Sequence, residues 1–123
     1  MDLRIDYHFH PNLPADEKKA LTRCRAHWQA FLSHGINVVI IAEHVFKDFE
    51  RAYRLMNQTK PPQVFCLPGI EYATRESSDL IIFSYSDTIY THPEFSPFAL
   101  KYEEAVDLIE QQPAWRSFVP HPY

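Results

Sequence analysis

Short apolar runs alternate along this chain with segments whose apolar residues recur at helical spacing. The runs at residues 38–42, 64–67 and 80–83 are apolar at every position, and the first and third are rich in β-branched side chains. Continuous runs of this length are typical of strands that are covered on both faces. Because such strands alternate with helices here, the sequence predicts an α/β fold with a mostly parallel sheet and right-handed crossovers.

Helix signals lie before, between and after these runs. Asp16 precedes an acidic first turn and predicts a helix start, and apolar residues at helical spacing continue to about His34, where Gly35 ends the helix. Two shorter amphipathic helices are predicted around residues 49–56 and 102–109. The sequence therefore predicts three helices: one before the run at residues 38–42, one between that run and the run at 64–67, and one after the run at 80–83.

Charge and composition exclude several classes of function. The chain has 123 residues, enough for one domain, and a net charge of −4 with scattered basic residues. We therefore expect no binding to nucleic acid or to an anionic membrane. Cys24 and Cys66 lie in apolar patterns, which indicates reduced, buried thiols. Because no apolar run approaches about 18 residues, we expect no signal peptide or membrane span, and a cytoplasmic protein.

Histidine is the residue type that most needs a chemical explanation, because the chain has seven. His8 and His10 alternate within an extended segment that follows a short strand at residues 3–5, so both rings project to the same side. Asp6 is a carboxylate that could orient one of these rings, or it is an ordinary strand-end residue. The pair therefore predicts a metal site at the end of the first strand.

Three further metal-capable side chains follow other predicted strands, the last of which is a short fifth strand at residues 117–119: His44, Glu71 and His121. Because the carboxyl ends of parallel strands meet at one edge, side chains that are distant in sequence converge there. Taken alone, His44 would be interpreted as a hydrogen-bonded residue at a helix start. As a set with the first-strand pair, these side chains predict binding of Zn, Mn or Fe, with two or three ions in a complete site.

The order of these motifs along the chain resembles the PHP family, the polymerase and histidinol phosphatase domain. The matching motifs are Asp6-x-His8-x-His10, Gly35 followed by an apolar strand that ends in Glu43-His44, Pro68-Gly69-x-Glu71, and Pro120-His121-Pro122. The resemblance covers essentially the whole chain. It implies a partial or distorted (β/α)7 barrel of mostly parallel strands, with metal ligands at their C-terminal ends and activity on phosphate esters.

The resemblance also assigns roles to individual residues. It makes His8 and His10 ligands from the first strand, His44 a ligand after the second, Glu71 a carboxylate that bridges ions, and His121 a ligand from the fifth strand.

The chain departs from the family pattern in three places. Asp16 lies nearest to a ligand that the family has after its first pair, and it serves equally well as a helix cap. Asp79 stands near the position of a family histidine at the start of the fourth strand, where it could act as an oxygen ligand. The closing Asp-x-His motif is absent, so residues 1–123 form a single PHP-like domain that lacks the C-terminal strands.

Two explanations of the missing strands stay open. In the first, the chain is a fragment or a naturally shortened form that folds as an open sheet, and its exposed edge promotes self-association. In the second, two chains complete one another. The expected partner of this domain is therefore another copy of the chain or a missing C-terminal segment.

The leading functional hypothesis is a metal-dependent phosphoesterase that acts on a small phosphorylated substrate. Bound ions would activate water and stabilise developing charge. Arg75, four residues after Glu71, is the best-placed cation for the outer oxygens of a substrate, and a solvated loop arginine is an equal alternative. Because ligands are missing, we expect low activity in this 123-residue form.

Two other functions compete with this hypothesis. The missing ligands favour a catalytically silent metal-binding or scaffold module. An amidohydrolase-like enzyme would share the barrel and the histidines, but it predicts a bridging carboxylated lysine at a strand end, and no lysine occupies such a position. The sequence does not specify a leaving group or a substrate.

Overall fold

The structure is a computed structural model that describes residues 2–120, and it contains one five-stranded sheet with three α-helices in that range. The strands are β1 (Ile5–Phe9), β2 (Val38–His44), β3 (Phe65–Ala73), β4 (Asp79–Ser84) and β5 (Trp115–Phe118). The helices are α1 (Glu17–Ser33), α2 (Phe49–Gln58) and α3 (Tyr102–Glu110). The three predicted helices are confirmed, and Asp16 caps α1 by accepting a hydrogen bond from the backbone N–H of Lys19.

The sheet is mixed, which corrects the prediction of a partial or distorted (β/α)7 barrel with mostly parallel strands. The strand order is β1-β2-β3-β4-β5. The first two pairings along this order are parallel and the last two are antiparallel. It follows that β4 runs against its neighbours, whereas β5 runs in the same direction as β1, β2 and β3.

The short connection between β3 and β4 explains this error. A parallel neighbour needs a crossover of about a dozen residues or more, whereas only residues 74–78 separate these two strands. Within this turn, the N–H of Thr74 donates to the carbonyl of Ser78 at 3.0 Å, and Ser77 has a positive φ of 64°. The polar stretch that leads into β4 is therefore a hairpin turn.

Helices pack on one face of the sheet only. One core cluster joins α1 and α2 to β1 and β2, and the Trp28 indole N–H crosses between the two helices to donate to the carbonyl of Met56 at 3.0 Å. A second cluster joins α3 and the segment 87–95 to β3, β4 and β5, with Tyr72 and Trp115 among its members. We call this helix-covered face the convex face, because the sheet curls away from it.

The opposite face is concave and apolar. The sheet curls so strongly that the rings of Tyr7 on β1 and Phe118 on β5 lie 5.4 Å apart, although four strand spacings in a flat sheet would separate these edge strands by about 19 Å. Between them is a groove of about 540 Å³ whose floor includes Ile40, Leu67 and Phe83. The strands are thus apolar on both faces, but the second face lines this groove and is not covered by helices.

Substitution of Gly69 by Ala should destabilise the fold, because the sheet backbone encloses this residue. An added Cβ would lie 2.8 Å from the carbonyl oxygen of Ile82 and 3.1 Å from that of Ile41. We expect a loss of about 1–3 kcal/mol in the free energy of unfolding, measured by urea titration. The matched control is Gly35→Asn, because Gly35 has a φ of +71° that Asn tolerates and only the Arg4 side chain nearby. Equal stabilities of the two variants would contradict this description of β3.

Candidate metal centre

A β-bulge in β1 determines which way its histidines point. Asp6 pairs with Val39 and Phe9 pairs with Ile41, so three steps along β1 match two steps along β2. One extra residue therefore lies in β1, and the alternation of its side chains shifts between Asp6 and Phe9. As a result Phe9 packs in the convex core, while His8 and His10 project over the concave face.

The carboxylate of Asp6 bonds to the backbone at this bulge. Its Oδ1 accepts a hydrogen bond from the N–H of His8 at 3.1 Å. Since the contact is with the main chain, Asp6 supports the irregular backbone beneath the histidines. The hypothesis that Asp6 orients one of the rings finds no contact among the described residues.

The pairing of β2 with β3 brings His44 and Glu71 to the same edge of the sheet as His8 and His10. The parallel pairing of β2 with β3 sets His44 directly opposite Glu71, and both lie on the concave side at the carboxyl ends of their strands. Glu71 Oε2 lies 2.7 Å from His44 Nδ1, and Glu71 Oε1 lies 2.9 Å from His8 Nε2. Glu71 thus stands between imidazoles from two different strands.

The donor atoms of these side chains are crowded. The Nε2 atoms of His8 and His10 are 2.9 Å apart, and His10 Nε2 lies 3.3 Å from Glu71 Oε2. The rings of His10 and His44 stack with their centroids 4.1 Å apart. The Glu71 side chain is only 2% exposed, so its charge requires this polar surrounding.

The chemistry of the cluster fits a transition metal. Two groups of side chains each hold nitrogen and oxygen donors within 4.8 Å of one another: His8, His10 and Glu71, and His10, Glu43 and His44. Imidazole and carboxylate donors together suit Zn, Mn or Fe. Because the two groups share His10, the residues provide either one site with alternative donors or two adjacent sites.

Glu43 is a member of this cluster that the sequence-based site assignment left out. It is 2% exposed, and its two oxygens accept hydrogen bonds from the backbone N–H groups of Asn12 at 2.9 Å and His44 at 3.0 Å. Burial acts to raise the pKa of Glu43, but the adjacent His10, these N–H groups and the Lys47 ammonium together lower it to about 2. In the sequence, the signal that could have identified Glu43 is that it is an acidic residue continuing an otherwise apolar strand.

The other predicted site residues lie in different environments. Asp16 is occupied as the cap of α1. Asp79 pairs with Ala73, two positions beyond the pair formed by Glu71 and Ile81, and is therefore on the same side and at the same edge as Glu71. Neither Asp16 nor Asp79 belongs to the two donor groups found among residues 2–120. Their roles as ligands remain predictions.

Arg75 and His121 are the remaining two of the predicted site residues. The Arg75 guanidinium donates to the carbonyl of Ala99 at 2.5 Å, and the Arg75 backbone N–H donates to the carbonyl of Leu100 at 2.8 Å. Arg75 thus holds the chain that precedes α3, and its contact with substrate remains a prediction. His121 lies outside the described residues.

Comparison with known proteins informs the fold only. No protein-family model and no curated protein sequence matches the chain. Its structure is similar to the crystal structure of PsfC from Pseudomonas syringae PB-5123, with a TM-score of 0.73 and 14% sequence identity. The match covers 94% of this chain and 53% of PsfC, so the chain spans about half the length of that protein. Within residues 2–120, no helix has the length and apolar character that crossing a bilayer requires.

Replacement of both His8 and His10 by Ala should remove most of the bound metal, because solvent does not replace two protein ligands without a large loss of affinity. We expect at least one ion per chain in the unaltered protein and a loss of most of that metal in the double variant, measured by elemental analysis after gel filtration. His34→Ala is the control, since His34 is exposed and bonds to its own helix. Equal metal content in all three proteins would contradict the site assignment.

Proposed function

We propose that this chain is a metal-dependent hydrolase that acts on phosphate esters through a cluster of two or three Zn, Mn or Fe ions. The observation that carries the proposal is the convergence of His8, His10, His44 and Glu71, from three strands, on one edge of the concave face. The phosphate ester as substrate class rests on the order of the sequence motifs, which resembles that of the PHP family.

The proposed mechanism divides the work between the metal and the chain. When bound, metal ions would lower the pKa of a coordinated water and neutralise charge on the phosphoryl oxygens. The chain holds the imidazole donors of β1 in place through the bulge. Glu71 directs one oxygen toward His8 and the other toward His10 and His44, which is the arrangement that a bridging carboxylate needs. The proposed substrate is small and phosphorylated, and Arg75 stays a candidate for its outer oxygens.

A catalytically silent metal-binding module is the second candidate. The observation that favours it is the small number of donors: the two groups found within residues 2–120 share His10 and contain five residues in all. Asp16, one of the proposed further ligands, is occupied as a helix cap. Such a module would bind metal at the same residues without turning over a substrate.

Glu71→Gln should lower turnover by two or more orders of magnitude, because a bridging carboxylate sets both the spacing and the charge of bound ions. The assay is a panel of phosphomonoesters and phosphodiesters with added Mn, Zn or Fe, and a chelator should abolish the activity. Glu110→Gln, at the exposed end of α3, is the control and should keep full activity. Metal binding without any turnover would support the silent module, and turnover that is indifferent to chelator would contradict both candidates.

We further propose that the concave face is completed by another copy of the chain or by a C-terminal segment. β1 and β5 are the edges of the sheet, and the apolar groove lies between them. Leu3, Ile5, Tyr7 and Tyr85 in this groove are 45–68% exposed, an arrangement that monomeric domains usually avoid. The match leaves about half of PsfC uncovered, so that protein contains further chain that could complete such a sheet.

The purified chain should therefore sediment as a dimer or a larger species, because association removes the groove from water. Leu3→Glu, in the groove, should shift the population toward the monomer in sedimentation velocity. Phe46→Glu is the control, since Phe46 is 59% exposed but lies outside the groove. A monomer over a wide range of concentrations would show that the sheet needs no second copy.

A cytoplasmic location forms part of this proposal. Cys24 and Cys66 are both free in the structure, and burial raises the pKa of the Cys66 thiol to about 12. Thiols of this kind are typical of proteins in a reducing compartment.

A further inference from the structure

Glu43 lies on the opposite side of β2 from the metal-capable histidine that follows it. The parallel register pairs His44 with Glu71 over the concave face, so the alternation of side chains turns Glu43 toward the convex side. Val39 and Ile41, which share this direction, belong to the helix-packed core. A carboxylate in such a position needs a polar partner, because its charge is otherwise costly to bury.

The partners of Glu43 belong to the chain segments that carry the candidate ligands. Its Oε2 accepts from the N–H of Asn12, two residues after His10, and its Oε1 accepts from the N–H of His44. At the exposed end of this group of contacts, the Lys47 ammonium donates a hydrogen bond to the side-chain oxygen of Asn12. Glu43 therefore joins the carboxyl end of β1 to that of β2.

The ring of His10 completes the arrangement. His10 Nε2 faces His8 and Glu71, whereas His10 Nδ1 lies 3.3 Å from Glu43 Oε1. His10 Nδ1 is buried and makes no aligned hydrogen bond with any residue in the range 2–120. Since buried polar atoms are almost always paired, the Glu43 carboxylate at 3.3 Å is the acceptor available to an Nδ1–H.

We propose that Glu43 is a positioning residue, which holds the proton of His10 on Nδ1 and so presents the lone pair of Nε2 to the metal centre. This inference rests on the proposed metal-dependent function. Metal-binding histidines generally donate their second ring N–H to a carboxylate or carbonyl, which fixes the tautomer and the ring orientation. The hydrogen bonds to Asn12 and His44 fix the carboxylate itself.

A direct role as a metal ligand is the alternative for Glu43, because its oxygens lie in the same donor group as His10 and His44. The hydrogen bonds disfavour it: both carboxylate oxygens already accept a backbone N–H from the residues around them. The side of β2 from which Glu43 projects disfavours it as well, since Glu71 occupies the concave side. A ligand and a positioning residue differ in the number of ions that the protein retains without them.

The first test needs no substitution. In the ¹⁵N-labelled, metal-free protein at about pH 8.5, some two units above the ordinary histidine pKa of about 6.5, long-range ¹H–¹⁵N correlation reports which ring nitrogen carries the proton. We expect His10 in the Nδ1–H form. A His10 ring in the Nε2–H form would overturn the proposal, whatever the protein does with metal.

The second test compares Glu43→Gln with Glu110→Gln, which changes an exposed glutamate at the end of α3. We expect the Glu43 variant to bind Zn about 10–100-fold more weakly in competition with a chromophoric chelator, with the same number of ions at saturation. We also expect a mixture of His10 tautomers in that variant and wild-type affinity in the control. A smaller number of bound ions would make Glu43 a ligand and overturn the positioning role.

The two tests separate this inference from the proposed function. If the unaltered protein binds no metal, the metal centre fails even when the His10 tautomer is as expected. If the protein binds metal and Glu43→Gln leaves both affinity and tautomer unchanged, the positioning role alone fails. Should the variant not fold, as judged by circular dichroism, the tautomer of the unaltered protein still decides the inference.

Discussion

The register between β2 and β3 is the constraint on which the rest of the molecule depends. Seven consecutive residue pairs, from Val38 opposite Phe65 to His44 opposite Glu71, are in parallel register without interruption. Because side chains alternate along a strand, this register decides at once which residues enter the helix-packed core and which line the concave face. A slip of one residue would turn every side chain of one strand to the wrong face and separate His44 from Glu71.

The bulge in β1 has the opposite character, because it breaks the register of its strand at one point. With regular pairing, the inward direction of Ile5 and Tyr7 would continue to Phe9, and both histidines would turn toward α1. The extra residue lets β1 keep apolar side chains over the groove in its first half and imidazoles at the candidate metal centre in its second half. A local irregularity in the backbone thus creates a site from a strand that would otherwise only complete the core.

The sequence identified the three helices and four of the side chains that meet at the candidate site, but it missed Glu43 and misjudged how the strands pair. Periodicity and capping depend on neighbouring residues, so α1 and its cap at Asp16 could be read directly. The reversal of β4 could also have been recognised, since residues 74–78 are too few for a crossover. The bulge and the role of Glu43 depend on contacts between strands that no local pattern reveals. The curled mixed sheet therefore replaces the predicted barrel, while the convergence of His8, His10, His44 and Glu71 at one edge does not depend on it.

The concave face changes from apolar to polar within one pair of residues, and this boundary has a steric basis. Ala42 and Gly69 are opposite one another, two positions before His44 and Glu71, and so form the preceding pair on the concave face. Glycine has no side chain and alanine has only a methyl group, so neither residue crowds the neighbouring imidazole rings and the Glu71 carboxylate. Backbone carbonyls from both neighbouring strands approach Gly69 so closely that no Cβ fits there. A residue without a side chain is therefore required at Gly69, and the donors from three strands meet at the next pair on the concave face.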